Sequence, residues 1–249
     1  MSKPLDDKVI IITGASSGIG AATAWKLGAE GAKLVLAARR IERIERLAQE
    51  LGKEGITAIA VKTDITKRSN ADHLVNQAMK YFNKVDVLVN NAGVMPLSLI
   101  KNLKVDEWDR MIDTNLKGPL YAIAAVLPIM REQKSGHIVN ISSIAGRRVF
   151  PGGSVYCATK FALNAFSEAM WMELTSRENI RVTLIEPGAV TTELAESITD
   201  EDVKAWFRER TQIKFLEARD IAHTVSFALT QPAHVNVNEL MVMPTEQQM

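Results

Sequence analysis

Cysteine is almost missing from this sequence: Cys157 is the only one among 249 residues, alongside four histidines. One thiol cannot close an internal disulfide, which excludes disulfide-scaffolded folds and every zinc site built on several thiolates. His73, His137, His223 and His234 show no paired ligand spacing, so no metal site is expected. An excess of charge of one sign is missing too. Thirty Lys and Arg balance 29 Asp and Glu to leave +1, no basic patch stands out, and nucleic acid is not an expected partner. Long hydrophobic runs are also absent. The longest, Tyr121 to Met130, is half a membrane span and contains Pro128, and Val9 to Ile12 is too short for a signal peptide's apolar centre. No linker, low-complexity tract or repeat marks a boundary. The expectation is a soluble, cytoplasmic chain forming one domain over residues 1–249, long enough to build its core without covalent staples.

What is present is a regular alternation. Short runs rich in Val, Ile and Leu (Lys8 to Thr13, Lys33 to Ala38, Ala58 to Lys62, Val85 to Val89, His137 to Ile141, Val182 to Ile185 and, more weakly, Glu239 to Val242) are separated by longer amphipathic stretches. The runs are continuous rather than alternating in polarity, as in parallel strands buried on both faces. The intervening stretches have helical spacing, for example Ile41, Ile44, Leu47, Ala48 and Leu51. Six or seven β-α units predict an α/β fold with a doubly wound parallel sheet of about seven strands flanked by helices. The charged stretch from Thr191 to Leu216 breaks the pattern, with Leu194, Ile198, Trp206 and Phe207 at roughly helical spacing among Glu193, Glu196, Asp200, Glu201, Asp202, Lys204, Arg208, Glu209 and Arg210. It reads as a solvated helical pair or, since it precedes the last strand near the sheet's carboxyl end, as a lid over a substrate.

The first strand runs into Gly14-Ala15-Ser16-Ser17-Gly18-Ile19-Gly20 and then a helical run to Ala29. Gly14 suits a sharp exit from the strand, Gly18 a close approach to a pyrophosphate, and Gly20 tight packing of helix on sheet; the helix N-terminus adds amide donors. Gly14 to Gly18 also satisfies Gly-x-Ser-x-Gly, which would make Ser16 a hydrolase nucleophile. That elbow normally follows a central strand well into the chain. A nucleotide-hydrolase phosphate loop would end in Gly-Lys-Ser/Thr, and Ile19-Gly20-Ala21 does not.

The second strand ends at Ala37-Ala38-Arg39-Arg40. NAD binders place a carboxylate at this point for the ribose hydroxyls; Ala38 stands there instead, followed by guanidinium groups suited to a 2′-phosphate, which favours NADP(H). Asp64, after the third strand, can accept from the adenine amino group. The plainer alternative is that Arg39 and Arg40 merely open the next helix.

Tyr156 and Lys160 lie four apart at the start of a long amphipathic segment and share a helix face. A neighbouring ammonium favours phenolate and is expected to lower the tyrosine pKa toward working pH. The fifth strand ends in Ser142-Ser143, placing a hydroxyl at the ligand end of the sheet, and Asn90-Asn91-Ala92-Gly93 follows the fourth. Asn115 falls within an amphipathic helix with Trp108, Met111, Ile112 and Leu116.

In this order and spacing, Thr13-Gly14-x-x-x-Gly18-x-Gly20, Asn90-Asn91-Ala92-Gly93, Asn115, Ser143, Tyr156-x-x-x-Lys160 and Pro187-Gly188 resemble the classical short-chain dehydrogenase/reductase family over nearly the whole chain. The resemblance implies a Rossmann-type fold and an NADP-preferring oxidoreductase acting on CH–OH or C=O groups. Tyr156 would donate the proton in reduction, Ser143 would be the second donor to the substrate oxygen, and Lys160 would hold the nicotinamide ribose. Asn115 would bind the water linking Lys160 to solvent. Cofactor contacts would come from Gly14, Ser16, Ser17, Gly18, Ile19 and Gly20; from Arg39, Arg40 and Asp64; and from Asn91, Ala92, Gly93, Pro187, Gly188, Val190 and Thr192. The family also implies a homotetramer, or at least a dimer. The ending Glu239 to Thr245 is loosely similar to a subgroup containing serine, 3-hydroxy acid and clavulanic acid dehydrogenases. A dinucleotide-sensing protein of the same fold, binding without catalysis, is the alternative function.

Glu186 stands before Pro187-Gly188 where the family more often has Asn or Ser. Arg147-Arg148 either hold a substrate carboxylate or belong to an exposed loop. Cys157 reads as a small buried side chain. Met95, Ala145, Phe150, Leu194 and Met243 are candidate pocket walls suited to an apolar or aromatic carbonyl compound.

Overall fold

Each of the seven short Val-, Ile- and Leu-rich runs becomes a strand in the computed structural model, which describes residues 3–209 and 213–248. The strands are β1 (Val9–Thr13), β2 (Lys33–Ala38), β3 (Ala58–Lys62), β4 (Val87–Asn90), β5 (Gly136–Ile141), β6 (Ile180–Pro187) and β7 (Glu239–Val242). They form one parallel sheet in the order β3-β2-β1-β4-β5-β6-β7. The order reverses between β1 and β4, opening a crevice at their carboxyl ends. Successive residues of a strand face opposite sides, so Ile10, Ile12, Leu34 and Leu36 enter one core while Val9, Ile11 and Val35 enter the other. Both faces must be apolar, which is why the runs do not alternate.

The first core is covered by α1 (Gly18–Ala29), α2 (Ile41–Lys53) and α8 (Ala218–Leu229). The second lies under α3 (Arg68–Phe82), α5 (Gly118–Gln133) and α6 (Ser154–Glu178). No described helix is long and apolar enough to cross a membrane.

The expected continuous helix around Asn115 differs in detail. Helix α4 (Val105–Ile112) passes into a π-helical turn, Asp113–Lys117, before α5 begins. Pro119 accounts for it. Having no N–H, it cannot donate to the Asn115 carbonyl four residues back, and its ring crowds that carbonyl. The turn widens there, as at many functional positions.

After β6 the chain leaves the sheet at Val190 and returns at Leu216, which pairs with it as an isolated bridge. Within the excursion lie a 3-10 helix, Glu193–Ser197, and α7 (Glu201–Glu209). Asp200 pins it: Oδ2 accepts from the Leu99 amide at 3.0 Å and from Asn102 Nδ2 at 2.6 Å. The side chains of Phe207, Arg208 and Glu209, and Arg210 itself, lie outside the described residues.

Candidate active site

The glycine turn is built on two constraints. Gly14 has φ +68°, a left-handed conformation that carries the chain off β1, and a Cβ on Gly20 would stand 2.4 Å from the Gly14 carbonyl oxygen. Asn91 locks the turn from β4 by donating Nδ2 to the Thr13 and Gly14 carbonyls at 2.9 and 3.3 Å. The Thr13 hydroxyl in turn accepts from the Asn91 and Ala92 amides at 3.0 and 3.1 Å. On the far side Thr192 closes over the turn, with its Cγ2 3.1 Å from the place of a Cβ on Gly18. Gly188 is paired to β7 through the Val242 carbonyl at 2.8 Å, and the next amide, of Ala189, donates to Gln247 Oε1 at 2.8 Å. Asn91, Ala92 and Thr192 are thus brought to the Gly14 turn, while Pro187, Gly188 and Val190 follow one another at the carboxyl end of β6.

Of the two arginines after β2, Arg40 reaches the turn. Its Nε and Nη2 donate to Ser16 Oγ at 3.1 and 2.8 Å, and Nη2 also donates to Ser17 Oγ at 2.8 Å. Ser16 is thus bound by a cation that cannot take up its proton, which argues against the hydrolase-elbow alternative. Arg40 Nη1 also donates to Glu193 Oε2 at 2.8 Å, and Arg43 Nη1 to Glu193 Oε1 at 2.7 Å. The two guanidinium groups hold the Glu193 carboxyl down at about 2. Arg39 is exposed, without hydrogen bond or ion pair among the described residues. Asp64 accepts from the Thr66 amide and hydroxyl at 3.2 and 2.7 Å. Arg43 escaped the sequence reading, although its spacing of three from Arg40 places both on one helix face.

Around Tyr156 the side chains are buried. Tyr156 is 5% exposed and Lys160 6%. The Ser143 hydroxyl lies beside the Tyr156 phenol and lowers its pKa. Ser143 Oγ also accepts from the Ala145 amide at 3.1 Å and lies 3.5 Å from the Pro187 carbonyl. Lys160 Nζ donates to the Ile141 carbonyl at 3.0 Å and sits 5.8 Å from the centre of the Tyr156 ring. Asn115 is pinned on both sides, accepting from the Val94 amide at 2.8 Å and donating to its carbonyl at 2.9 Å.

Here the expected pKa direction is reversed. Burial pushes the Tyr156 phenol up to about 12, with Ser143 pulling it partway back, and burial lowers the Lys160 ammonium to about 8. The chain without cofactor desolvates both groups, and this outweighs the attraction between an ammonium and a phenolate that has not yet formed. Burial likewise raises the Cys157 thiol.

Met95, Ala145 and Phe150 pack with Tyr156, joined by Val94, Leu97, Met111, Ile198 and Val203. Leu194 and Met243 lie outside that cluster, beside Thr192 and Gly188 respectively. Arg147 is not directed at a ligand: it grips Glu186 and Glu239.

The profile of the short chain dehydrogenase family matches residues 8–203. An oxidoreductase of Listeria monocytogenes, uncharacterized, is 48% identical over 244 residues, 98% of each chain. The closed form of a serine dehydrogenase complexed with NADP+ superposes with a TM-score of 0.87 at 34% identity, covering 97% of this chain and 96% of that one. An alcohol dehydrogenase from the archaeon Thermococcus sibiricus, complexed with 5-hydroxy-NADP, gives 0.86 at 30% identity, covering 97% and 98%. With its crevice, glycine turn, half-buried Ser143 and buried Tyr156 and Lys160, this oxidoreductase belongs to the short chain dehydrogenase family.

Proposed function

We propose that the chain is an NADPH-dependent carbonyl reductase, run in reverse as a secondary alcohol dehydrogenase. The observation that carries this reading is the placing of the Ser143 hydroxyl beside the Tyr156 phenol, which packs within an apolar cluster. Two hydroxyls that meet there can bind one substrate oxygen between them. NADPH, when bound, supplies the hydride to the carbonyl carbon. It would be held by the Gly14–Gly20 turn, Asn91, Ala92, Gly93, Pro187, Gly188, Val190 and Thr192, with Asp64 toward the adenine. The turn fits a pyrophosphate because it opens the N-terminus of α1, whose first amides have no partner within the helix. Arg39 and Arg40, with Ser16 and Ser17, fit a 2′-phosphate, and the anion already seated on Arg40, the Glu193 carboxylate, supports that choice.

Tyr156 donates its proton to the substrate oxygen as the C–H bond forms, and Ser143 steadies the developing alkoxide. A phenol near 12 stays protonated at neutral pH, as an acid must. Once the phenolate appears, the Lys160 ammonium beside it becomes the stabilising charge, and Asn115 holds the water through which Lys160 is reprotonated. The substrate is an apolar or aromatic ketone or aldehyde, on two grounds. Met95, Ala145 and Phe150 cluster around Tyr156, and Arg147, one of the two arginines considered for a substrate carboxylate, is already paired. The excursion over residues 191–216 acts as a lid. The same reading places the enzyme in the cytoplasm as a homotetramer, with exposed Phe161 and Met172 of α6 offering an apolar face to a second copy.

Decay of NADPH fluorescence over a panel of aliphatic, aromatic and carboxylate-bearing carbonyl compounds tests this. Consumption with the apolar members is expected. Binding of NADPH without consumption across the panel would make the protein a sensor instead.

A further inference from the structure

We propose that Glu186 is a positioning residue for the two reacting hydroxyls, acting through Arg147 and Asn164; the inference rests on the reductase reading. A carboxylate 1% exposed at a strand end must be partnered almost completely, because water no longer solvates it. Glu186 is. Its Oε1 accepts from Arg147 Nε at 2.7 Å and Asn164 Nδ2 at 2.6 Å, and its Oε2 from Arg147 Nη2 at 3.2 Å. These contacts join three elements: the end of β6, the 3-10 turn that follows Ser143, and α6.

Asn164 is the link to the chemistry. It lies one helical turn beyond Lys160 and two beyond Tyr156, on the same face of α6. Its second amide proton goes to the Gly146 carbonyl at 3.1 Å, and its Oδ1 accepts from the Ser142 hydroxyl at 2.5 Å. Both its amide hydrogens and its oxygen are therefore used, with Glu186 taking one of the three bonds. The packing leaves no slack, since a Cβ on Gly146 would stand 2.5 Å from Asn164 Nδ2. Ser143 thus sits in a short turn tied at Ser142, Gly146 and Arg147 to the helix that carries Tyr156. Glu186 holds two of the parts, Arg147 and Asn164, in one geometry. The separation of the Ser143 hydroxyl from the Tyr156 phenol follows from that geometry, although Glu186 touches neither.

The test compares the wild-type enzyme with Glu186→Ala, Arg147→Met and Glu186→Gln, measuring kcat, NADPH affinity and the pH profile of alcohol oxidation. Displacing a reacting group slightly lowers turnover on the order of ten- to a hundredfold, so Glu186→Ala and Arg147→Met should show that loss. NADPH affinity should hold within about twofold, the mark of an interaction made only in the transition state. Glu186→Gln keeps an oxygen for Asn164 and should recover most of the loss. Because Ser143 lowers the Tyr156 pKa, displacing it should also move the rising limb of the oxidation profile to higher pH. Arg147→Lys, which loses the two-point grip but keeps the charge, replaces any variant that fails to fold. A folded Glu186→Ala enzyme with wild-type kcat overturns the inference. So does a lost kcat with an unmoved pH limb and no rescue by glutamine, which is general loosening. An active wild type indifferent to Glu186 leaves the reductase reading standing; a wild type that binds NADPH and reduces nothing overturns both.

Discussion

Two clusters of opposite charge flank the crevice, and they are built on different physics. On one side the Glu186 carboxylate is buried among Arg147 and Asn164, where each lost partner leaves a charge without solvent. On the other, Glu193 meets Arg40 and Arg43 with roughly two fifths of each side chain still exposed. A buried, fully bonded charge resists change and suits the positioning of a reacting group. An exposed ion pair is worth about 0–1 kcal/mol and is screened by salt, so an incoming phosphate can take its place. On the proposed reading, the contrast sets a fixed catalytic side against an exchangeable cofactor side.

That contrast can be broken or sharpened by five variants. Ser143→Ala removes one donor to the developing alkoxide, and kcat should fall by about 10²–10³ with NADPH affinity unchanged; steady-state kinetics alongside a fluorescence titration reads this. Arg147→Met strands the buried Glu186 carboxylate and should lower unfolding stability by about 3 kcal/mol in urea, the low end for a broken buried pair because Arg147 itself is partly exposed. Arg40→Ala and Arg39→Ala should each raise the Michaelis constant for NADPH by about one to two powers of ten while leaving NADH unaffected, the scale of a lost charged hydrogen bond. An unchanged preference in either variant would remove that arginine from the phosphate site.

The smallest effect belongs to Glu193→Gln. Its unfolding free energy should change by less than about 0.5 kcal/mol, whereas 2′,5′-ADP should bind a few times more tightly and AMP equally, by isothermal titration. The carboxyl is depressed from 4.5 to about 2, so its contribution is present above 4.5 and lost as pH falls toward 2. Wild type and Glu193→Gln should therefore differ slightly at neutral pH and converge in acid.

Much of this was legible in the residues themselves. All seven strands follow from apolar runs, most of them buried on both faces and the exposed edge strand β7 the weakest, and β2, β3 and β7 fall at the expected residues. The helical pairing of Tyr156 with Lys160 follows from a spacing of four. What escaped depends on long-range neighbours. Arg40 and Glu193 are 153 residues apart, and Arg147 and Glu186 are 39 apart, so nothing local shows that these charges pair. The reversed pKa direction at Tyr156 has the same origin, because spacing reveals a neighbouring charge but not the depth at which both groups lie. The π-helical turn at Asn115 was closer to reach, since Pro119 four residues later is incompatible with a regular helix at that carbonyl.

The account stands most directly on Tyr156 as the proton donor. Wild type and Tyr156→Phe, each saturated with NADPH and mixed with a reducible apolar ketone, should differ in the rate of NADPH oxidation by about 10²–10⁴-fold while binding NADPH alike. Turnover by Tyr156→Phe within an order of magnitude of wild type would contradict it.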